Sequence, residues 1–332
     1  MRRVFAIAFL GCLLAGITTL PASAEWPGAN GRIAYLLDDA DGFTHIWWAN
    51  PDLSDAEQLT FGPFSDFDEA WSADGHVLVF STDRYVTAPP PEPGFRIDIV
   101  TLNVATGVQQ LLTTGGINEQ PSFSPDGDRI LFAKTDPFTG LGGLFTIRAS
   151  DGGDLQQVIG LPQDVDFLQW PRYSPDGSQI AFTAVKGPAW RQAGGASNTG
   201  AVYVVSADGS GLRRLTPFGH LLDFEVNWSP DGTELVMQTN WRPGNRPSLW
   251  IMNADGSDLR RLTDESPLAD GQPFQASFAP TWAPDGSVIM FICAPGEVSF
   301  WDLCTIRPDG TGRTLVASTP EDEHRPAWQP LT

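Results

Sequence analysis

The sequence predicts an all-β protein: a six-bladed β-propeller with four-stranded blades, its ring closed by pairing of the N- and C-terminal segments. Three observations predict it. A phrase built on Asp-Gly recurs five times along the 332 residues. A second hairpin follows each copy, and the two chain ends supply complementary parts of a sixth unit. Gly (34) and Pro (28) are plentiful, which suits many short strands and tight turns.

The first phrase reads EAWSADGHVLVF from Glu69, PSFSPDGDRILF from Pro121, PRYSPDGSQIAF from Pro171, VNWSPDGTELVM from Val226 and PTWAPDGSVIMF from Pro280. Its aspartates are Asp74, Asp126, Asp176, Asp231 and Asp285, spaced by 52, 50, 55 and 54 residues. Periods of this length mark repeat architectures. Asp-Gly supplies the turn, because Asp tolerates turn geometry and Gly allows positive φ. The alternating apolar residues that follow read as a half-buried strand. An aromatic precedes each Asp by three: Trp71, Phe123, Tyr173, Trp228 and Trp282. These are expected to pack between blades, each contributing about 2–3 kcal/mol.

The second hairpin is clearest in VYVVSADGSGLRRLT from Val202 and LWIMNADGSDLRRLT from Leu249. It recurs from Leu144 and Leu303, and in a looser copy from Ile99. At the ends, NGRIAYLL from Asn30 and HIWWANPDLSDAEQLT from His45 supply strands two to four of a unit. HRPAWQP from His324 supplies a first strand, with Trp328 in the aromatic position. Joining both ends in one blade closes a ring without a free edge, which a linear solenoid would not require.

This pattern resembles the TolB-like propeller family. The resemblance rests on the Ser-Pro-Asp-Gly hairpins with their preceding aromatic. It rests also on the Ala-Asp-Gly turns that lead into Leu-Thr (Leu215-Thr216, Leu262-Thr263; compare Leu59-Thr60), and it spans about residues 30–330. It implies the propeller fold. TolB itself carries an α/β domain before its propeller, whereas only residues 25–29 lie between the leader and the first blade here. The role of TolB in an envelope complex is therefore not carried over. The same repeats form the propeller of prolyl-oligopeptidase-type peptidases, but here they occupy the chain and leave no stretch for a hydrolase domain.

The basic start Met1-Arg2-Arg3, an uncharged apolar run to Leu20 and the small-x-small tripeptide Ala22-Ser23-Ala24 predict a signal peptide over 1–24, cleaved after Ala24. The expected organisation is thus a leader, 1–24, and one propeller domain, 25–332, secreted or periplasmic and monomeric. No later segment is apolar and long enough to span a membrane. Cys293 and Cys304 are the cysteines left after cleavage, and they flank a loop between two expected strands. In an oxidising compartment they are expected to pair, two buried thiols being the alternative. With 20 basic and 40 acidic residues the net charge is −20, which disfavours nucleic acid and anionic membrane surfaces. Cations and cationic partners are allowed.

Motifs of catalysis are sparse. There is no Gly-x-Ser-x-Gly elbow. The Asp-Gly turns at Asp151 and Asp255 lack the bidentate Glu that a calcium loop needs. His45, His76, His220 and His324 form no metal-binding pair. No motif calls for a cofactor, and a divalent cation at the channel mouth rests on no motif either.

The innermost strand of each blade starts on the face that propellers commonly use for binding. Eight residues before each repeat Asp stand Asp66, Asn118, Leu168, Asp223 and Ser277, with Glu323 in register on the last strand. Seven before stand Glu119 and His324. Loops on the same face carry Phe43, Tyr85, Phe138, Trp190, Trp241 and Trp301. Asp66, Asn118, Glu119, Asp223, Glu323 and His324, rimmed by Tyr85, Trp190, Trp241 and Trp301, therefore form the expected binding face for a protein or peptide partner. Acids would steer and aromatics would anchor it. The plainer reading is that the oxygens satisfy strand-entry backbone and the aromatics cap their own blades. A rival function is an extracellular metal-assisted polysaccharide lyase or hydrolase, with Glu119 and His324 as ligands or bases. A purely structural role in an envelope assembly is a third.

Overall fold

The structure is a computed structural model describing residues 26–86, 96–136, 142–187, 199–218, 221–240, 247–264, 274–295, 301–316 and 322–332, with backbone alone at 221–224, 240, 274–275 and 294–295. The expected leader, 1–24, lies outside the described residues.

Each repeat folds as four antiparallel strands, innermost first. Blade 1 takes β1 (Ala29–Asp38), β2 (Thr44–Ala49) and β3 (Glu57–Gln58) from the N-terminal side. Blade 2 is β4 (Asp66–Trp71), β5 (Val77–Thr82), β6 (Asp98–Asn103) and β7 (Gln109–Leu111). Blade 3 is β8 (Ile117–Phe123), β9 (Arg129–Thr135), β10 (Gly142–Arg148) and β11 (Gln156–Gly160). Blade 4 is β12 (Phe167–Tyr173), β13 (Gln179–Lys186), β14 (Thr199–Ser206) and β15 (Arg213–Arg214). Blade 5 is β16 (Leu221–Trp228), β17 (Glu234–Asn240), β18 (Ser248–Asn253) and β19 (Arg260–Arg261). Blade 6 is β20 (Phe274–Trp282), β21 (Ile289–Pro295), β22 (Asp302–Ile306) and β23 (Thr314–Leu315). The last strand, β24 (His324–Leu331), pairs with β1 and becomes the innermost strand of blade 1. Its register sets Ile33 against Trp328, Ala34 against Ala327 and Leu36 against His324. The split sixth unit therefore closes the ring as the sequence predicts.

The turn chemistry explains the first hairpin. In four blades the Ser hydroxyl donates to the repeat Asp at 2.5–2.7 Å (Ser72–Asp74, Ser124–Asp126, Ser174–Asp176, Ser229–Asp231). That carboxylate also accepts the backbone N–H two residues on, for instance from Asp128 and Ser178 at 3.0 Å. Gly75, Gly127, Gly177, Gly232 and Gly286 follow with φ of 69–75°, the left-handed region where a side chain is strained. These aspartates are spent on holding turns. Asp151 and Asp255 cap the second hairpins in the same way, accepting from Gly153 and Ser257 at 2.9 and 2.8 Å.

The core lies between blades. Trp71 packs with Ala34, Leu36 and Ile46 of blade 1, Trp282 with Val236 and Ile251 of blade 5, and Trp328 with Met290 and Ile292 of blade 6. Each aromatic therefore fills the seam toward the preceding blade. Two indoles also bond across a seam: Trp71 Nε1 donates to the Ala327 carbonyl and Trp228 Nε1 to that of Arg172, both at 3.1 Å. Cys293 and Cys304 are joined in a disulfide across the β21–β22 hairpin.

Candidate functional site

The inner strands do not run as plain strands. Three residues before the seam aromatic, every blade places a residue at positive φ: Asp68 (60°), Gln120 (58°), Trp170 (54°), Glu225 (52°), Ala279 (46°) and Arg325 (49°). The pairing register slips at each of these points, as in a β-bulge. A left-handed residue other than Gly costs about 1–2 kcal/mol, and here it recurs around the whole channel. The amides released by the slip are taken up by side chains. Gln120 Oε1 accepts from Trp170 N at 2.9 Å, Ser81 Oγ from Gln120 N at 3.1 Å, and Gln238 Oε1 from Ala279 N at 3.3 Å.

The bulge breaks the alternation of faces, so two successive residues line the channel: Phe67 with Asp68, Glu119 with Gln120, Gln169 with Trp170, Phe278 with Ala279, and His324 with Arg325. They enclose an open cavity of about 600 Å³. Below it, a chamber of about 50 Å³ is walled by Asp68, Glu69, Arg172, Glu225 and Arg325.

Arg325 divides the two. Its guanidinium meets Asp68 of blade 2 at 2.7 Å and Glu225 of blade 5 at 3.3 Å, and lies 4.2 Å over the ring of Trp170 in blade 4. It thus reaches from blade 1 across the axis. Burial works against its charge, but Glu225, Asp68 and Glu69 outweigh that and hold its pKa above the usual value. Burial raises the pKa of Asp68 and Glu225, and the arginines only partly offset it.

Glu69 is the extreme case. It is buried, and neither carboxyl oxygen has a hydrogen-bond partner. Loss of hydration pushes its pKa from 4.5 up to about 8, against the weaker electrostatic pull of its own backbone N–H and of Arg325. In that interval the native protein keeps a proton that the unfolded chain has released, so stability falls as pH rises through it. Glu69→Gln removes the linkage. Its advantage in Tm over wild type is expected to grow from pH 5 to pH 8 and level off above; a pH-independent difference would show that Glu69 ionises normally.

At the mouth, Trp301 stacks on Phe278 (centroids 5.5 Å apart) and meets the His324 ring edge-on at 5.1 Å. Desolvation lowers the pKa of His324. The Asp322 carboxylate accepts the Trp301 N–H at 2.7 Å and anchors this rim.

The residues singled out from sequence separate into three groups. Glu119, His324 and Trp301 share the cavity. Asp66, Asn118 and Glu323 are buried and do not line it. Asp66 takes both its oxygens to the Arg84 guanidinium at 2.7 Å. Asn118 donates to the carbonyls of Ile97 and Gly115 and accepts from Lys134 Nζ at 3.0 Å. The plainer reading of strand-entry oxygens thus describes Asn118, and Asp66 forms an internal ion pair. Tyr85 packs half-buried against the seam of blades 1 and 2, under Arg96 at 5.5 Å. The backbone of Asp223 pairs with Thr239, while its side chain, Trp190 and Trp241 lie outside the described residues. Asp68, Glu69, Gln120, Trp170, Glu225 and Arg325 were not anticipated. One signal was present: where other units have Pro or Val five residues before the Asp, blade 2 has Glu69.

Among the described residues no group of three or more His, Cys, Asp and Glu is arranged to hold a metal ion. No helix there is long and apolar enough to cross a membrane.

No family model matches the chain. The Tol-Pal system protein TolB of Acinetobacter baylyi is 29% identical over 82 residues, 25% of this chain and 18% of that protein. The chain thus matches less than a fifth of this relative's length. Among solved structures, TolB from Acinetobacter baumannii superposes with a TM-score of 0.68 at 22% identity, covering 90% of this chain and 67% of the other. Oligogalacturonate lyase in complex with manganese gives 0.57 at 14% identity (88% and 75% covered). A nidogen–laminin complex gives 0.63 at 10% identity (90% and 98% covered). The class is therefore a six-bladed propeller of four-stranded blades with a charged, strained channel. Within that class the chain is similar to the TolB propellers, in sequence over part of its length and in fold over most of it.

Proposed function

We propose that this TolB-like propeller is a secreted, non-catalytic module that binds a protein or peptide through its channel mouth, in the cell envelope or outside the cell. The observation that carries the reading is the open cavity of about 600 Å³, walled by Phe67, Phe167, Trp170, Phe278 and Trp301 and floored by the Arg325 ion network. Aromatic walls with a few fixed charges suit an inserted segment. Glu119 and Asp38 add negative charge at the mouth, and the whole chain is strongly acidic, so a partner segment bearing Lys or Arg is favoured. Nidogen, in complex with laminin, lends the fold a protein-binding precedent.

The test is a pull-down with the chain from residue 25 onward, using extracts of its host's envelope and medium, beside the double variant Glu119→Gln/Trp301→Ala. A partner retained by wild type should bind the variant at least tenfold more weakly, since one buried aromatic anchor is worth about 2 kcal/mol or more. Equal retention would move the binding face elsewhere. The metal-dependent lyase reading draws on the manganese-bound neighbour and on Glu119 and His324 sharing the cavity. A melting temperature lowered by chelator would favour it over simple binding.

A further inference from the structure

The channel floor holds more carboxyls than counter-charges. The chamber beneath Arg325 is walled by three acids, Asp68 and Glu69 of β4 and Glu225 of β16, and by two guanidiniums, Arg172 of β12 and Arg325 of β24. The left-handed turn of the backbone at Asp68 brings two successive acids of β4 into it. Strand β20 contributes Ala279, Pro280 and Thr281, none of which titrates, and Glu119 of β8 acts on Arg325 from the mouth side. Asp68 and Glu225 share Arg325, at 2.7 and 3.3 Å, whereas both Glu69 oxygens are buried and unpartnered. An uncompensated charge is costly inside a protein. The five enclosed groups are neutral together when one carboxyl keeps its proton, and Glu69, which has no donor, is the one that keeps it.

Glu225 connects this cluster to the mouth, because it lines both the chamber and the cavity of about 600 Å³. Its Oε2, and Oε1 of Gln169 in the same cavity wall, are buried acceptors with no partner. The wall carries donors as well. The charged ones among the described residues are Arg325, already taken by Asp68 and Glu225, and His324, which burial keeps neutral at pH 7. A cation arriving at the mouth thus finds Glu225 held by the longer of the two Arg325 contacts.

We propose that the mouth exchanges a proton for a cation: the guanidinium or ammonium of an inserted side chain pairs with Glu225, Arg325 turns from Glu225 to Glu69, and Glu69 releases its proton to solvent. Arg325 keeps Asp68 throughout. One positive charge enters and one leaves, so the buried cluster stays neutral. The exchange rests on the mouth being the binding face, and it names the side chain that face takes.

The test is calorimetric titration of the chain from residue 25 onward with acetyl-Phe-Arg-amide, beside the same dipeptide carrying citrulline, the uncharged isostere of arginine. The Phe ring gives the probe a contact with the aromatic walls. At pH 8.5 the arginine peptide should saturate one site, at least tenfold more tightly than the citrulline peptide. Because Glu69 titrates at about 8, the affinity of the arginine peptide should rise at least tenfold from pH 6.5 to pH 8.5. His324, whose pKa lies below 6.5, accounts for less than about twofold of that rise. At pH 7, titrations in phosphate and in Tris should show release of about one proton. Glu69→Gln, shown by its melt to be folded, has no proton to release, and should bind with a pH-independent affinity near that of wild type at pH 6.5. No saturation, equal binding of the citrulline peptide, or a pH slope retained by Glu69→Gln would each overturn the exchange. A protein partner captured with equal affinity at both pH values would overturn the exchange and leave the binding face standing. Proton-linked binding of the peptide with no partner captured would leave the exchange standing and remove the partner.

Discussion

Truncation before Glu323 is expected to abolish cooperative unfolding. The deleted segment contains β24, which is far more than one strand of a sheet. It pairs along β1, and without it that ten-residue strand becomes an open edge at the centre of the molecule. It also packs between β4 and β20, so two blade seams lose their filling at once. Trp328 and Ala327 leave the clusters that join blade 1 to blades 6 and 2. The Trp71 indole loses its acceptor at Ala327. One buried aromatic is worth about 3–5 kcal/mol on truncation, and domain stability totals about 5–15 kcal/mol. The remaining blades cannot offset such a loss. Differential scanning calorimetry should show a broad transition of reduced enthalpy, with early dye binding. A sharp transition at the wild-type Tm would refute the energetic role of closure.

Arg325→Met is expected to lower stability by about 3–5 kcal/mol at neutral pH, the cost of breaking a buried pair from one side. The guanidinium is shared by Asp68 and Glu225 and stacked on Trp170, so one change strips two buried carboxylates of their counter-charge. The sign of the pH dependence follows from the direction of their shifts. Burial already raises both pKa values, and without Arg325 they rise further. Such groups favour the native state while protonated, and that advantage is lost as pH climbs through the folded-state values. The deficit of Arg325→Met relative to wild type should therefore be smallest near pH 4–5 and largest above neutrality. Chemical denaturation at several pH values measures it. The triple variant with Asp68→Asn and Glu225→Gln should recover much of the loss, because the orphaned charges are gone. A deficit independent of pH would mean that Arg325 acts by packing over Trp170 alone.

Much of the architecture is legible in the residues. The Ser-Pro-Asp-Gly phrase specifies its turn through contacts that span two to five residues, so spacing alone locates each hairpin. Trp328 at the end of the chain stands where Trp71 and Trp282 stand in their units, which identifies β24 as the missing inner strand from the residues alone. The channel wall was much less legible. Counting back along β4 and β8 as ordinary strands puts Asp66 and Asn118 at the mouth, yet Asp66 is bound to Arg84 of its own blade and Asn118 to the carbonyls of Ile97 and Gly115 at the seam with blade 2. Glu119 and His324, one residue further on, do reach the cavity.

The sequence by itself determined the number of blades, their strand order, the seam aromatics and the closure, because local turn chemistry and period-two hydrophobicity specify these over a few residues each. Which side chains meet in the channel was decided by the tertiary structure. The left-handed residue that shifts the facing of each inner strand is Asp, Gln, Trp, Glu, Ala or Arg in the six blades. No common residue type marks it in the chain. It exists because six strands converge on one axis, and the amides it frees are satisfied by Ser81, Gln120 and Gln238 on other strands. The meeting of Arg325 with Asp68 and Glu225 likewise depends on closing the ring, which brings together residues 257 and 100 positions apart.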